Sequence, residues 1–567
     1  MPRLGMTLIV IAAASAHAAF NYPDCPDYKP AEFKYTKLVD RTLDTSLSEP
    51  VRMAFDYRGE GKSDVYFAER HGTLKRWDAV KNEVSVLGHL DVFSDSPEHL
   101  PYAAEAETGI NGIALDPGFK DNHRLWVFYS PWEDTVFRLS HFTLKDGKLD
   151  MESEKVVLDI KEGRKHATAT ITLPGGPLHF DPHGDLWIAI GANSEQFPSV
   201  DEKYPKRSAE ASSSNLADLR GSILRIHPDD SPRGYRIPEG NLGEYWSARF
   251  AAGGKADLAG EYADTSKVRP EIYIKGTRNP YSLNVDPKTG WVVWGEFGPN
   301  RLAVEELNLA THPLYAGYPY WAGKNLFILD QREPWASAGM DPGAPVNNSV
   351  WNMGPKELPP SEPALIAYAS NTNNFLNGNH PTSGPIYRYM EDSDSPARFP
   401  PHFDGAWMAI DRYGGLRVFK VNGAGDGYTD SVVFKGAVGE PTSAWLRPIE
   451  LKQGPDGAVY VLDYAGYHST VPETHIGRYE YTGSCRPDAV PVRHAARKDP
   501  RVRVTARSIR VDLPGLHTLR VRTLDGREVA AFSGQGPMEH TLRLPAGKAL
   551  YLVTLDSGRD AWIIPRL

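Results

Sequence analysis

Residues 178–193 read LHFDPHGDLWIAIGAN, and this stretch decides the fold. Its apolar residues alternate as in a β-strand, an Asp-Pro-x-Gly turn follows, and a second strand rich in aromatic and β-branched residues comes next. The same unit, with a turn of the looser Asp/Gly-x-x-Gly type, occurs five more times, in copies that begin at Met53, Gly112, Leu283, Phe399 and Leu451. Six short antiparallel meanders predict an all-β protein with a six-bladed β-propeller, because closing the ring removes most free strand edges. An array of β-sandwiches is the alternative, but long irregular insertions between copies favour the loops of a propeller.

The composition supports a folded β-protein. Hydrophobic residues make up 41% and charged residues 24% of the 567 residues, which suits a chain that buries a core. The 51 glycines and 46 prolines suit many short strands joined by turns. The net charge of −9 argues against a nucleic-acid-binding protein.

The N-terminus predicts a signal peptide over residues 1–18. Arg3 precedes an apolar run over 6–14, and Ala16-His17-Ala18 forms a small-residue cleavage site. An N-terminal core strand or helix is the alternative. The run is too short to cross a bilayer, and no later segment is long enough. We therefore expect a secreted protein (periplasmic, extracellular or on the cell surface) that does not span a membrane.

The repeats and the composition predict two folded domains. The propeller is expected over residues 19–490, and a small β-sandwich over 498–567, where alternating strands are rich in arginine. A solvated strand face explains these arginines better than nucleic-acid binding. Cys25 and Cys485 lie at the two ends of the repeat array, so a disulfide between them would close the ring in an exported protein. Two unpaired thiols are the alternative.

The segment 273–300, YIKGTRNPYSLNVDPKTGWVVWGEFGPN, carries the strongest chemical features. Arg278 and Asn279 precede a strand, where a guanidinium beside an amide can bind a carboxylate or a quinone oxygen. Gly298-Pro299 presents backbone carbonyls, and Glu305-Glu306 follows, a donor set that suits Ca²⁺. From the spacing alone, ordinary turns remain the preferred interpretation.

Together, the motifs resemble the soluble quinoprotein glucose/sorbosone dehydrogenases. The resemblance extends from about residue 50 to 483 and rests on GTRNP and GEFGPN, with YFAERHGTLKRW, ETGINGIALDPGF, DLRGSILRI, ELPPSEPALI and GPDGAVYVLDY in the same order. It implies a six-bladed propeller that binds pyrroloquinoline quinone (PQQ) and Ca²⁺ at its mouth and oxidises a sugar. The C-terminal LDGREV and AGKALYLVTL loosely resemble the sorting domains of type IX-like secretion systems.

The resemblance also assigns roles to individual residues. It implies that the quinone is contacted by five residues: Glu107, Arg278, Asn279, Arg412 and Arg447. It implies that four residues bind calcium: Gly298 and Pro299 at the quinone, and Glu306 with Tyr315 at a second site.

One departure concerns the catalytic base. The family has a His in H-x-G-G, whereas this chain has Leu173-Pro174-Gly175-Gly176. His166 is a candidate substitute base. Since leucine accepts no proton, slow sugar oxidation is expected if nothing replaces the histidine.

Two functions therefore follow from the sequence. The first is a secreted PQQ-dependent dehydrogenase that oxidises a hydroxyl or lactol of an extracellular carbohydrate and passes electrons to an unidentified acceptor. The second is a non-catalytic propeller that binds a glycan or a protein, which the missing histidine favours. A lactonase-type hydrolase is a weaker third, because no central cluster of metal-binding carboxylates is visible in the sequence.

Overall fold

The computed structural model describes most of two compact units, which comprise residues 1–483 and 484–567. In the first unit it describes residues 29–94, 107–162, 173–194, 208–299, 304–328, 340–369, 381–391, 393, 395–411, 415–440, 447–464 and 473–483. In the second it describes residues 502–504, 508–511, 516–523, 528–541, 550–555 and 560–565. Within these ranges, no helix is long and apolar enough to cross a membrane.

The first unit contains six antiparallel β-sheets that form the blades of a propeller. The first described strand is β1 (Phe33–Asp40). Blade 1 is β2–β5 (Pro50–Gly59, Lys62–Glu69, Thr73–Asp78, Glu83–His89). Blade 2 is β6–β9 (Ile110–Leu115, Arg124–Tyr129, Val136–Lys145, Lys148–Lys161). Blade 3 has the core strands β10, β11, β12 and β14, and β13 pairs with β12 (Gly175–Phe180, Leu186–Ile190, Ser222–Pro228, Ile272–Lys275; β13 is Tyr235–Arg236).

The remaining blades complete the ring. Blade 4 is β15–β17 with β21 (Pro280–Val285, Val292–Glu296, Val304–Ala310, Ile366–Ala369). Its long insertion contains β18–β20 (Leu314–Tyr315, Trp321–Ala322, Leu326–Phe327), and β18 pairs in parallel with β14 of blade 3. Blade 5 is β22–β25 (Thr382–Ile386, Ala406–Asp411, Gly415–Val421, Tyr428–Phe434). Blade 6 is β26–β28 with β1 (Pro448–Gln453, Val459–Asp463, His475–Tyr481).

The described helices are few and short. They are α1–α4 (Phe119–Asn122, Ala209–Ser212, Leu242–Ala252, Ala256–Ala263), with two 3₁₀ turns (Pro30–Glu32, Pro401–Phe403). The two longer helices, α3 and α4, lie between β13 and β14, so they are an insertion in blade 3 and not part of the ring.

The innermost strands β2, β6, β10, β15, β22 and β26 contact one another in this order, and β26 contacts β2. The ring closes through β1, which pairs antiparallel with β28, so that Phe33 lies opposite Tyr481. The Tyr35 hydroxyl and His475 Nε2 form a hydrogen bond of 2.8 Å across this junction. The six-bladed propeller predicted from the repeats is confirmed.

The aspartate of the repeated turn helps the copies in blades 2 and 3 to fold as hairpins. Asp181 accepts the backbone N–H groups of His183 and Asp185, and its second oxygen accepts the indole N–H of Trp187 at 2.9 Å. Asp116 accepts the indole N–H of Trp126 in blade 2 at the same distance. Each aspartate thus ties its turn to an aromatic residue on the second strand, which fixes the register of the hairpin.

Buried side chains pack between neighbouring blades as well as within them. Val65 of blade 1, Ile113 of blade 2 and Tyr460 of blade 6 belong to one buried cluster. Trp126 of blade 2 and Leu224 of blade 3 belong to another. This packing holds the inner strands in a fixed geometry, which the site at their ends requires.

The second unit forms two antiparallel sheets, as expected of a small β-sandwich. One sheet has the order β29–β30–β33 (Val502–Val504, Ser508–Val511, Met538–Thr541), and the other has the order β32–β31–β34–β35 (Glu528–Gln535, Leu516–Thr523, Leu550–Leu555, Asp560–Pro565). Leu519 and Val521 on β31 are fully buried. The predicted boundaries at 490 and 498 remain predictions.

Candidate active site

An open cavity with about 640 Å³ of empty space, which includes open solvent, lies at the end of the ring where the inner strands begin. Because neighbouring strands are antiparallel, the second strands of the blades end on the same face. The described lining residues come from these strand ends and the turns beside them: Val51, Arg52, Arg70, Glu107, Asn111, Pro174, Gly175, Asn279, Tyr281, Phe297, Arg447, Ile449 and Tyr464. Five of the six blades contribute, so the ring itself builds the site.

Three arginines give the cavity its positive charge. Arg52 donates from Nε to the Asn111 carbonyl at 2.7 Å, and burial lowers the pKa of its guanidinium. Arg70 forms an ion pair with the buried Glu49 at 2.7 Å and donates to the Thr108 carbonyl. Arg447 receives support at its backbone, where its N–H donates to Asp463 at 2.8 Å.

The carboxylate of Glu49 lies behind the lining and anchors two lining residues. It accepts hydrogen bonds from Arg70 and from the Tyr464 hydroxyl. Burial raises the pKa of Glu49, but the hydrogen bond from His71 and the charge of Arg70 outweigh burial and lower this pKa to about 2. Glu49 is therefore a permanently charged support for the arginine and the tyrosine.

Glu107 is half-buried at the cavity and binds the turn that lacks the family histidine. Its Oε2 accepts the backbone N–H of Leu173 at 2.8 Å. Leu173 itself is buried, has a positive φ of 62°, and is not among the lining residues, whereas Pro174 and Gly175 are. The leucine side chain therefore does not occupy the cavity.

The Arg278-Asn279 turn is fixed by a fully buried carboxylate. Glu296 Oε2 accepts the backbone N–H groups of Arg278 at 2.6 Å and of Asn279 at 3.3 Å, and its other oxygen accepts the indole N–H of Trp294. Asn279 lines the cavity, and its side-chain oxygen accepts the Gly175 N–H at 3.1 Å.

The Arg278 side chain is not among the lining residues, although it is as buried as Arg70; its Nη1 donates to the carbonyl of the lining residue Phe297 at 3.1 Å. Asn279 therefore lines the cavity directly, and Arg278 acts on the lining through the Phe297 carbonyl.

The residues expected at calcium lie in the same blade. Gly298 is held by its N–H, which donates to Glu305 at 3.3 Å, and a Cβ at Gly298 would lie 1.5 Å from the Val304 carbonyl oxygen, so only glycine fits. Pro299 follows it, at the edge of the described residues.

Glu306 and Tyr315 are the residues expected at the second calcium site, and each forms hydrogen bonds with a different set of residues. Glu306 accepts the N–H of Gly323 and the amide of Asn308. The Tyr315 hydroxyl donates to the Gly317 and Tyr318 carbonyls.

Glu296 and Glu306 lie opposite each other on β16 and β17. Burial raises the pKa of both, and the charge of Glu306 raises that of Glu296 further. Among the described side chains, no group of three or more His, Cys, Asp or Glu residues is placed to hold a metal ion. The calcium site predicted at Gly298 and Pro299 would instead bind the ion through backbone carbonyl oxygens.

Four predicted residues lie outside the described residues: His166, Arg412, Cys25 and Cys485. Several residues that line the cavity were not predicted from the sequence: Arg52, Arg70, Asn111, Tyr281, Phe297 and Tyr464. A signal was present, because Arg52 interrupts the apolar start of an inner strand and Arg70 follows the end of a second strand. These are the positions that face the mouth of a propeller.

Comparison with known proteins agrees with the repeats and the cavity. A model of the family described as glucose/sorbosone dehydrogenase matches residues 47–354. The Hedgehog-interacting protein of Mus musculus is 24% identical over 267 residues, which are 45% of this chain and 32% of that protein. The aldose sugar dehydrogenase YliI of Escherichia coli K12 is 24% identical over 286 residues, which are 49% of this chain and 60% of that enzyme. The chain thus matches less than two thirds of the length of either relative.

A solved structure shares the fold. An oxidoreductase of Thermus thermophilus described as a glucose dehydrogenase superposes with a TM-score of 0.51 at 20% identity, over 79% of this chain and 99% of that one. At this identity the likeness concerns the fold alone. The family match, by contrast, spans more than half of the 567 residues. The chain belongs to the glucose/sorbosone dehydrogenase family.

Proposed function

We propose that this protein is a PQQ-dependent dehydrogenase that oxidises a hydroxyl or lactol of a sugar. The observation that carries the proposal is the charge of the cavity, whose described lining holds three guanidinium groups and one carboxylate. PQQ is a flat molecule with three carboxylates, and arginine is the side chain best suited to bind carboxylates.

The other lining residues fit a flat, polar ligand. The rings of Tyr281 and Phe297 stack with centroids 4.9 Å apart and offer an aromatic surface. The Asn111 Oδ1 atom is buried and has no hydrogen-bond partner among the described residues. The residues present therefore fit PQQ.

The chain's own groups would bind and orient the reactants. Arg52, Arg70 and Arg447 would hold the carboxylates of the quinone, while Val51 and Ile449 exclude water from the cavity wall. When bound, the quinone supplies the oxidising chemistry by taking two electrons from the sugar. The rigid ring fixes the distance between the two reactants.

Calcium forms the second part of the proposal. The Gly298 and Pro299 carbonyls follow Phe297, a residue of the cavity wall, and are the hard oxygen donors that Ca²⁺ prefers. Glu306 and Tyr315 are proposed at a second calcium site.

The proposed function is tested with purified protein, PQQ and CaCl₂. We expect saturable quinone binding and dye reduction with at least one sugar of a panel of aldoses. Protein without quinone, and protein treated with a chelator, are the controls. Absence of both binding and dye reduction would reject the dehydrogenase. The alternative, a non-catalytic propeller that binds a glycan or protein, rests on Leu173 alone, and family membership favours the enzyme.

We also propose that the protein is exported and acts on an extracellular carbohydrate. The support is the sequence of residues 1–18 and the loose resemblance of the C-terminal unit to sorting domains. Fractionation of producing cells tests it, and protein found only in the cytoplasm would contradict it.

A further inference from the structure

We propose that Glu107 is the proton acceptor in the oxidation, in place of the histidine that is absent at position 173. This inference rests on the proposed function and adds to it a catalytic residue of different chemistry. It follows from the composition of the cavity wall and from the contact between Glu107 and the Leu173 turn.

The described lining offers one group that can take a proton near neutral pH. Its arginines are permanently protonated, its asparagines are not bases, and a phenol with an ordinary pKa of about 10 holds its proton at neutral pH. The remaining lining residues are apolar or glycine. Glu107 is the only carboxylate among these described residues.

The position of Glu107 is tied to the turn that carries the base elsewhere in the family. Its Oε2 lies 2.8 Å from the Leu173 backbone nitrogen, so the carboxylate lies within one hydrogen bond of that residue. The Asn279 side chain holds the same turn two residues later, at Gly175. The turn is thus fixed from both sides, and its amide orients the carboxylate.

The other acidic groups near the mouth have fixed structural partners. Glu49 is 2% exposed and pairs with Arg70. Glu296 is 3% exposed and accepts three N–H groups of its own blade. Neither residue lines the cavity, so neither can reach a bound sugar.

The proposed step conserves atoms and electrons. The O–H bond of the sugar breaks, and its proton forms a new O–H bond with the Glu107 carboxylate. The C–H bond at the same carbon breaks, and its hydrogen leaves with two electrons for the ortho-quinone oxidant. A C=O bond remains on the sugar, and Glu107 returns its proton to water.

The test compares Glu107→Gln and Glu107→Ala with the wild type and with Glu152→Gln, a change on the exposed face of β9 in the same blade. Quinone affinity is measured by titration, and sugar oxidation by dye reduction. Glutamine can still accept the Leu173 N–H but is no base. We expect Glu107→Gln to bind quinone within about threefold of the wild type and to oxidise sugar about 100-fold or more slowly. We expect Glu152→Gln to match the wild type.

Chemical rescue separates a base from a positioning residue. Adding formate or acetate to the Glu107→Ala variant supplies a carboxylate to the space left by the side chain, and we expect it to restore part of the rate. A wild type that binds no quinone would reject the proposed function and this inference with it. A quinone-binding, active protein whose Glu107→Gln variant keeps its rate would overturn the inference alone. So would a protein in which His166→Ala abolishes oxidation and Glu107→Gln does not.

Discussion

Two turns at the mouth of the propeller are held by the same kind of hydrogen bond, from a backbone amide to a glutamate, but the two glutamates differ in role. In blade 4, Glu296 accepts the backbone amides of Arg278 and Asn279. At the turn that begins blade 3, the backbone amide of Leu173 donates to Glu107, which comes from blade 2. The first carboxylate is fully buried under its turn, and the second is half-buried and lines the cavity.

The difference teaches that the same contact does not define the same role. A buried carboxylate that satisfies several N–H groups stabilises a turn, and removing it leaves these donors without partners. A carboxylate that binds a turn and also lines a cavity is fixed in position yet accessible to a ligand. We therefore assign a structural role to Glu296 and a catalytic role to Glu107.

Removing each carboxylate gives the largest expected contrast. Glu296→Ala leaves three buried donors unsatisfied and should lower the free energy of unfolding by about 3 kcal/mol or more. Glu107→Ala removes an acceptor at the cavity wall, where water can replace it, and should cost about 1 kcal/mol. Urea denaturation of both variants measures the two values. Equal losses would contradict the division of roles.

The arginines of the two regions should also differ. Arg447 lines the cavity, whereas Arg278 is not among the lining residues. Arg447→Ala should weaken quinone binding by about 1.5–3 kcal/mol, the usual value of a charge-assisted bond. Arg278→Ala should weaken it less, through the Phe297 carbonyl that it holds. Titrations compare both with Arg249→Ala, a change on the exposed face of α3. A larger effect at Arg278 would mean that the motif residue touches the quinone directly.

A third carboxylate sharpens the comparison through pH. Glu210 is buried and accepts the Tyr320 hydroxyl at 2.9 Å, and burial raises its pKa to about 7. This pKa lies above the value of about 4.3 for an unfolded glutamate. The contribution of Glu210 to the free energy of unfolding is therefore most favourable below about pH 4, where the carboxyl is protonated in both states. This contribution falls as the pH rises to 7, because the folded state holds the proton more tightly than the unfolded state.

Glu210→Gln keeps an acceptor for Tyr320 and removes the titration. Between pH 5 and 8, the free energy of unfolding of the variant should rise relative to the wild type by on the order of 2 kcal/mol. Denaturation at both pH values provides the measurement. A constant difference between the two proteins would show that Glu210 does not titrate in this range.

The smallest effect is expected at Leu173. If the missing histidine limits the reaction, Leu173→His should raise sugar oxidation by about tenfold or more. Because the leucine side chain does not line the cavity and Glu107 does, we expect a change below about threefold. Dye-linked rates decide between the two. A tenfold gain would return the base to position 173.

The sequence predicted the ring because strand alternation and Asp/Gly-x-x-Gly-type turns are local features. It located the second and third strands of blade 5 in the copy from Phe399 but missed the inner strand Thr382–Ile386, whose Gly384-Pro385 interrupts the alternation.

For the site, the motifs led to Asn279, Glu107 and Arg447, which line the cavity. They did not indicate Arg52 or Arg70, because which strand end faces the mouth depends on the closed ring. The bond between Glu107 and Leu173 joins residues 66 positions apart, and no spacing in the sequence predicts such a contact.

The central claim is that the cavity at the mouth binds PQQ with its arginines. A crystal structure of the protein grown with PQQ and Ca²⁺ tests it most directly. We expect quinone carboxylates on Arg52, Arg70 and Arg447, and Ca²⁺ on the Gly298 and Pro299 carbonyls. Quinone bound away from this cavity, or a cavity without quinone at saturating concentration, would contradict it.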